Sequence, residues 1–322
     1  MAAPEITFAI NKRPDSKFYF EVPIDGFDVA YPDKPKAWNF YVDMLRGVWD
    51  VGELAFSHYL IARDMGFPLI AVPAFQLRFL PHYGLSVHKA AGIDRPADLV
   101  AKRVGAADWG INPAVWMRGI LAHQYEVPTE LISWFEGDAQ PSFPDMKYPH
   151  SARFRLGRLN PPADLARSQP DAYGWRHMVE THAVDAAILP GQGMDETETT
   201  RRLFADPLVE AREYVRQTGV IPINSVLVMR QEKAEEFPNL APAVMEAAGK
   251  ALAMHGADIG DRGDANYTYI PLWFVKEAGM YPFQQGFAPN RKAIHMMAAY
   301  CYEQGLVNKL YEPEELFAPG TV

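Results

Sequence analysis

Cysteine is almost missing from this chain: Cys301 is the only one in 322 residues. A single thiol excludes an intramolecular disulfide and a cysteine-built zinc site. Long apolar runs are missing too, since none approaches the ~20 residues that a membrane-spanning helix needs. Positive charge is scarce, with 31 Lys and Arg against 40 Asp and Glu and a formal net charge of −9. A field of that sign repels phosphate backbones and anionic lipid, so nucleic acid and membrane surfaces are poor partners. A small anionic molecule would have to be met by a local group of cations. No repeat period and no low-complexity tract is visible, which excludes solenoids and long disordered tails. The N-terminal stretch MAAPEITFAINKRPDSKF lacks the basic region and apolar core of a secretory signal, so the expected location is the cytoplasm.

What is present suits a globular protein with a substantial core: 48% hydrophobic and 22% charged residues. Ile6–Ile10 alternates as a first strand would. Residues 37–65 carry apolar positions at helical spacing, weakened by Gly47 and Gly52. Leu69–Pro73 and Leu85–Val87 read as short strands, and residues 95–99 as a brief helix leading into a strand over 102–106. A loop over 107–112 then opens a helix over 113–125, with Asn112 as N-cap and Pro113 as first helical residue. Residues 137–162 form a long loop rich in proline and arginine. Beyond it come a helix near 171–182, a strand over 185–189, helices near 196–204 and 207–217, and an apolar strand-like run over 218–229. The rest is mostly helical, with an aromatic loop over 267–287. Strands alternating with helices argue for parallel sheets. Crossing segments near 88–102 and 217–229 imply two lobes, the first made of residues 1–95 and 220–322 and the second of 96–219. Ligands in such α/β folds sit at strand C-termini and helix N-termini, between the lobes.

Several stretches resemble the 4,5-dihydroxyphthalate decarboxylase family. They are Asp50-Val51-Gly52-Glu53-Leu54-Ala55, Ile70–Phe75 with Arg78 and His82, Pro96–Leu99, and Lys102–Gly105. Others are Ala114-Val115-Trp116-Met117-Arg118-Gly119-Ile120-Leu121, Arg202–Phe204, Thr218–Ile223 and Tyr302–Leu306. The Val-Trp-x-Arg-Gly-Ile-Leu stretch is the most distinctive. The resemblance covers the chain from about residue 45 onward. It implies the two-lobed type II periplasmic-binding-protein-like fold, an α/β architecture with a cleft between the lobes, and decarboxylation of a hydroxylated aromatic dicarboxylate to protocatechuate. Departures from the family pattern fall at Asn224 and Ser225, where a histidine is usual nearby, at Asp108-Trp109-Gly110, and at Gly52–Ala55. They bear on the substrate more than on the fold.

The chemistry narrows the candidates. Direct loss of carbon dioxide from an aryl carboxylate would leave an aryl carbanion. A workable route protonates the ring carbon, draws electrons from a para hydroxyl, and needs no metal or organic cofactor. Arg78 could clamp a carboxylate and His82 could donate the proton; the bland readings are a solvated arginine and a histidine packed beside Tyr83. Glu53, Ser57 and His58 stand near a helix start, with 53 and 57 on one face, and could supply a base and hydrogen bonds. A lone histidine such as His58 is otherwise a structural residue. Arg13, with Lys12, follows the first strand, either at a ligand position or on a solvated turn. Asp108, Trp109 and Asn112 border a helix N-terminus suited to an anion. Arg118, farther along that helix, is a ligand contact or a surface ion pair. Asn224 and Ser225 complete the candidate set. His177 and His182 lie five apart with no carboxylate at ligand spacing, so no metal site is read there. The aromatic residues between Tyr267 and Phe287 read as lobe packing or a subunit interface, which leaves a homo-oligomer open. The expected partner is a small aromatic carboxylate; the alternative is a non-catalytic solute-binding protein for such a molecule.

Overall fold

The alternation in Glu5–Ala9 does what it predicts: in the computed structural model this strand, β1, lies inside a sheet with Ile6 and Phe8 buried. The structure describes residues 2–13, 16–32, 37–137, 152–162, 173–189, 195–259, 266–267, 270–281 and 283–322. They divide into two compact units. Unit 1 is Met1–Arg78, Ile223–Ala298 and Lys309–Val322; unit 2 is Phe79–Pro222 and Ala299–Asn308.

Unit 1 is built on β1, β2 (Asp28–Ala30), β3 (Val51–Ala55), β4 (Leu69–Val72) and β11 (Ser225–Arg230), in the order β2-β1-β3-β11-β4. β1 runs parallel to β2 and β3, whereas β11 is antiparallel to both β3 and β4. Residues 37–65 are therefore not one helix. They form α1 (Ala37–Leu45), β3 and α2 (Phe56–Asp64). All five residues of β3 are buried, and a Cβ on Gly52 would meet the Met44 sulfur at 3.0 Å and the Ala9 carbonyl at 3.1 Å. Glycine there permits close backbone packing, and a strand buried on both faces shows no alternation to read. Ile6, Phe8, Val51, Val72, Leu227 and Met229 share a core with Leu240 and Val244 of a long helix, Leu240–Ile259.

Unit 2 contains β5 (Leu85–His88), β6 (Arg103–Ala106), β7 (Ser133–Glu136), β8 (Arg155–Arg158), β9 (Ala186–Ile188) and β10 (Thr200–Arg202), in the order β10-β5-β9-β6-β7-β8. The expected lobe boundary at residue 95 is too late. β5 pairs with β9 and β10, so residues 79–95 belong to unit 2, as does the short return of 299–308. The expected helix near 196–204 is instead the edge strand β10, whose Arg201 and Arg202 register against Val87 and Ser86. β8 lies within the stretch read as a long loop; Pro141, Pro144 and Pro149 of that stretch lie outside the described residues. The helix α3 (Asn112–His123) starts one residue early: Ile111 is its N-cap, and no side chain caps it. After α4 (Tyr173–Glu180), helix α5 (Pro207–Thr218) behaves as its sequence demands. The Asp206 carboxylate accepts from the Leu208 and Val209 amides, and Gly219 closes the helix at φ 69°. Among the described residues no helix is long and apolar enough to cross a membrane.

Candidate functional site

In unit 1 strand direction gathers the candidates. β4 and β3 both run antiparallel to β11, and Ser225 registers with Ala55 while Leu227 registers with Glu53 and Val72. The C-terminal ends of β1, β3 and β4 thus share one sheet edge with the start of β11, where open α/β sheets place ligand contacts. Arg13 follows β1, and its Nη1 and Nη2 each donate to a Glu53 carboxylate oxygen at 2.9 Å. Ser225 Oγ donates to Glu53 Oε1 at 2.5 Å. Both oxygens of this buried carboxylate are therefore engaged. In this arrangement Glu53 fixes Arg13 and Ser225 rather than standing ready as a base.

Ser57 and His58 follow in the first turn of α2, both buried. The helix is docked there by the Phe56 amide, which donates to the Asn224 carbonyl at 2.9 Å. Asn224 in turn donates its amide to the Leu77 carbonyl at 2.7 Å. Arg78 pairs in a β-bridge with Ile223 and is buried; its Nη2 donates to Asn290 Oδ1 and its guanidinium stands 4.9 Å from the Phe283 ring. The sequence reading overlooked the neighbours that line a small cavity here. Gln76 Nε2 donates to the Tyr19 hydroxyl at 2.6 Å, and Tyr19, Phe75, Gln76, Arg78 and Phe283 surround the space. Gln76 carried a signal, because it lies four residues past β4, on the same loop as Arg78. Lys12 is exposed and stands 5.4 Å from the Phe20 ring.

His82 is enclosed by other residues of its own unit. It sits in the short helix Pro81–Gly84 of unit 2, fully buried. Its ring lies 5.4 Å from Phe204, 5.8 Å from Tyr214 and 6.4 Å from Tyr125, and Nε2 is 3.2 Å from Gln124 Oε1. Burial pushes its pKa down to about 4, the Gln124 contact opposing only part of the effect. A neutral imidazole in an aromatic box is a poor proton donor at neutral pH, so the packed reading fits this residue better than the acid reading.

The Asp108–Asn112 loop was expected to offer amide groups to an external anion. Here the Trp109 amide donates to Glu136 Oε2 at 2.7 Å, so the protein's own carboxylate, at the end of β7, occupies that donor. Burial raises the pKa of Glu136, with the Trp109 amide and Arg158 pulling the other way. Asp108 and Asn112 are buried as well. Arg118 is not a surface residue: its guanidinium stacks 3.8 Å from the Trp109 ring, and Nε donates to Gln304 Oε1 at 2.7 Å. The Trp109 indole donates to the Gln304 carbonyl at 3.0 Å, tying the loop to residues 299–308. His182 lies 3.0 Å from Asp185 and stacks on His88 at 4.0 Å. Among the described residues no cluster of three or more His, Cys, Asp or Glu could hold a metal ion.

The strand orders, with one antiparallel strand inserted into each largely parallel sheet, find counterparts among solved structures. The chain aligns over 99% of its length, and 99% of the other chain, with the periplasmic aliphatic sulphonate-binding protein of Escherichia coli, at TM-score 0.53 and 13% identity. An alkanesulfonate-binding protein of Xanthomonas axonopodis matches equally well, at TM-score 0.53 and 14% identity, covering 98% of this chain and 99% of that one. The fold is that of periplasmic binding proteins. In sequence, the chain is 26% identical over 320 residues to a 4,5-dihydroxyphthalate decarboxylase of Comamonas testosteroni, covering 94% of this chain and 92% of that protein. A second protein of that name, from Pseudomonas putida, is 26% identical over 201 residues, covering 61% of this chain and 74% of its own length. No family model matches the chain.

Proposed function

We propose that this protein is a cofactor-independent carboxy-lyase that converts a hydroxylated aromatic dicarboxylate, with 4,5-dihydroxyphthalate as the first candidate, into protocatechuate. The observation that carries this reading is the likeness along 94% of the chain to a decarboxylase of that name. The chemistry balances without a cofactor. A para hydroxyl pushes electrons into the ring as the carbon bearing the carboxylate takes a proton. The carbon–carboxylate bond then breaks, its electron pair restores the aromatic ring, and carbon dioxide leaves. The phenolic proton is handed off and regained, so one proton is consumed in all.

The unit 1 sheet edge suits the early part of this scheme. Arg78, backed by Asn290 and Phe283, is the candidate clamp for a carboxylate. Arg13, held by Glu53, which Ser225 in turn holds, presents a second oriented guanidinium. His58, in the turn that follows Glu53, is the candidate proton donor in place of His82. The test is to mix pure protein with 4,5-dihydroxyphthalate and follow released carbon dioxide and the ultraviolet change. Stoichiometric release with protocatechuate as product is expected. Tight binding without release would favour the second reading, a solute-binding protein for small carboxylates, which rests on the fold shared with sulfonate-binding proteins.

A further inference from the structure

The cavity beside Gln76 in unit 1 has a volume of about 10 Å³. A single water needs roughly 10–15 Å³, so the space takes one water-sized group, and a carboxylate is larger than that. Gln76, Tyr19 and Gln285 stand in its wall beside Phe75, Ala248 and Leu252. The Gln285 side chain is spent on the backbone of Phe75, accepting from its amide at 2.5 Å and donating to its carbonyl at 2.9 Å. Gln76 Nε2 donates to the Tyr19 hydroxyl at 2.6 Å. Gln76 Oε1 is different. It has no hydrogen-bond partner among the described residues, although the residue is only 8% exposed. Polar groups so far from solvent are ordinarily paired. We propose that Gln76 Oε1 receives a ring hydroxyl of the ligand, which makes this cavity a hydroxyl subsite; this rests on the function proposed above.

The loop that carries Gln76 is held on both sides. The Gln76 amide donates to the Ser225 carbonyl at 3.3 Å and the Leu227 amide to the Ala74 carbonyl at 2.9 Å, which joins the loop to β11. On its other side Gln285 grips Phe75, and the Gly286 amide donates to the Pro73 carbonyl at 2.8 Å. The acceptor is therefore in place before a ligand arrives, and little ordering is left to oppose binding. A hydroxyl can donate to this oxygen, whereas a carboxylate brings acceptors only. A ring without the hydroxyl leaves Oε1 unpaired in a nearly closed space, and sites of that kind reject analogues that lack the group. Size and hydrogen-bond sense thus select for the same substituent.

The test is calorimetric titration of the full chain with 4,5-dihydroxyphthalate and with phthalate, which keeps both carboxylates and has no hydroxyl. Wild type should bind the hydroxylated acid about tenfold more tightly or better, a difference of ~1.4 kcal/mol. Gln76→Leu should weaken 4,5-dihydroxyphthalate by a similar factor and leave phthalate unchanged. Tyr19→Phe keeps the ring and removes the hydroxyl that holds the Gln76 amide. It should shift the same ratio in the same direction by a smaller factor, so the test survives a Gln76 variant that fails to fold. Equal losses for both acids would mean that Gln76 only supports its loop, and would overturn the inference. So would wild-type binding that does not distinguish the two acids, or binding of neither. Discrimination that depends on Gln76 without release of carbon dioxide leaves the subsite standing and sinks the lyase reading. Release of carbon dioxide with discrimination untouched by both variants does the reverse.

Discussion

At the scale of single residues, burial and pairing decide which of the candidate groups can react. Glu53 was legible in the sequence as a candidate, but the pairing of both its oxygens was not. No spacing rule joins residues 13, 53 and 225, because they meet only when β11 returns between β3 and β4. Glu53→Gln should destabilise the fold by about 3 kcal/mol, the lower end for breaking a buried pair because Arg13 keeps 15% of its side-chain surface. Ser225→Ala removes one hydrogen bond to the same carboxylate and should cost about 1 kcal/mol. Urea midpoints of the two variants check the order. His82 gives a sign that can be worked out. Its folded pKa is depressed to about 4 from the ordinary 6.5, so between those values the unfolded chain binds the proton and the folded chain does not. Stability is therefore intact above about pH 6.5 and falls as the pH drops toward 4, by up to about 3 kcal/mol from this residue. Wild type should lose more stability between pH 7 and pH 4.5 than His82→Gln does. Equal losses would mean that this imidazole is not enclosed as described.

At the scale of elements, the helices with explicit stops and starts were readable, as were the apolar runs that became β4, β9 and β11, whereas β3, β7 and β8 were not. Asp206-Pro207 and Gly219 bound α5 as capping rules require, whereas β3 was hidden inside a helical pattern because both its faces are covered. β7 and β8 gave no alternation and fell beside or within a proline-rich stretch. Two glycines separate packing from propensity. Gly119 lies in α3, and an added Cβ would stand 2.2 Å from the Tyr300 ring, which is buried and packed edge-on against Trp116. Gly249 lies in the helix Leu240–Ile259 with nothing within 4 Å of that position. Alanine improves helix propensity by up to ~1 kcal/mol at both sites. At Gly119 the overpacking term of ~1–3 kcal/mol wins, so Gly119→Ala should lower the melting temperature. Gly249→Ala should raise it. Differential scanning calorimetry distinguishes the two, and a stabilising Gly119→Ala would mean that Tyr300 can move aside.

At the scale of the whole molecule, the two-lobe reading came from the crossing segments near 88–102 and 217–229, and the resemblance supplied the reaction. What remained illegible was how unit 1's sheet edge is furnished, since Asn290 and Phe283 reach Arg78 from more than 200 positions away. The same fold serves binding proteins and the proposed lyase, so only a separation of binding from chemistry decides between them. Arg78 should act in both ground and transition states if it clamps a carboxylate. Arg78→Ala is then expected to raise KM by roughly ten- to a hundredfold, matching the ~1.5–3 kcal/mol of a charge-assisted contact, with kcat nearly unchanged. His58, if it delivers the proton, matters chiefly in the transition state, so His58→Gln should cut kcat while substrate still binds. His82→Ala should instead lower stability, by about 2–4 kcal/mol for the cavity it opens, and leave turnover per folded molecule largely intact. Steady-state kinetics at fixed pH, corrected for the folded fraction, reads all three at once. Should His82→Ala alone abolish turnover in folded protein, the acid is the enclosed imidazole and the aromatic box must open during the reaction. Unchanged kcat in both histidine variants would move the proton donor to another group. A chain that binds 4,5-dihydroxyphthalate through Arg78 yet releases no carbon dioxide would be a binding protein with a decarboxylase's sequence.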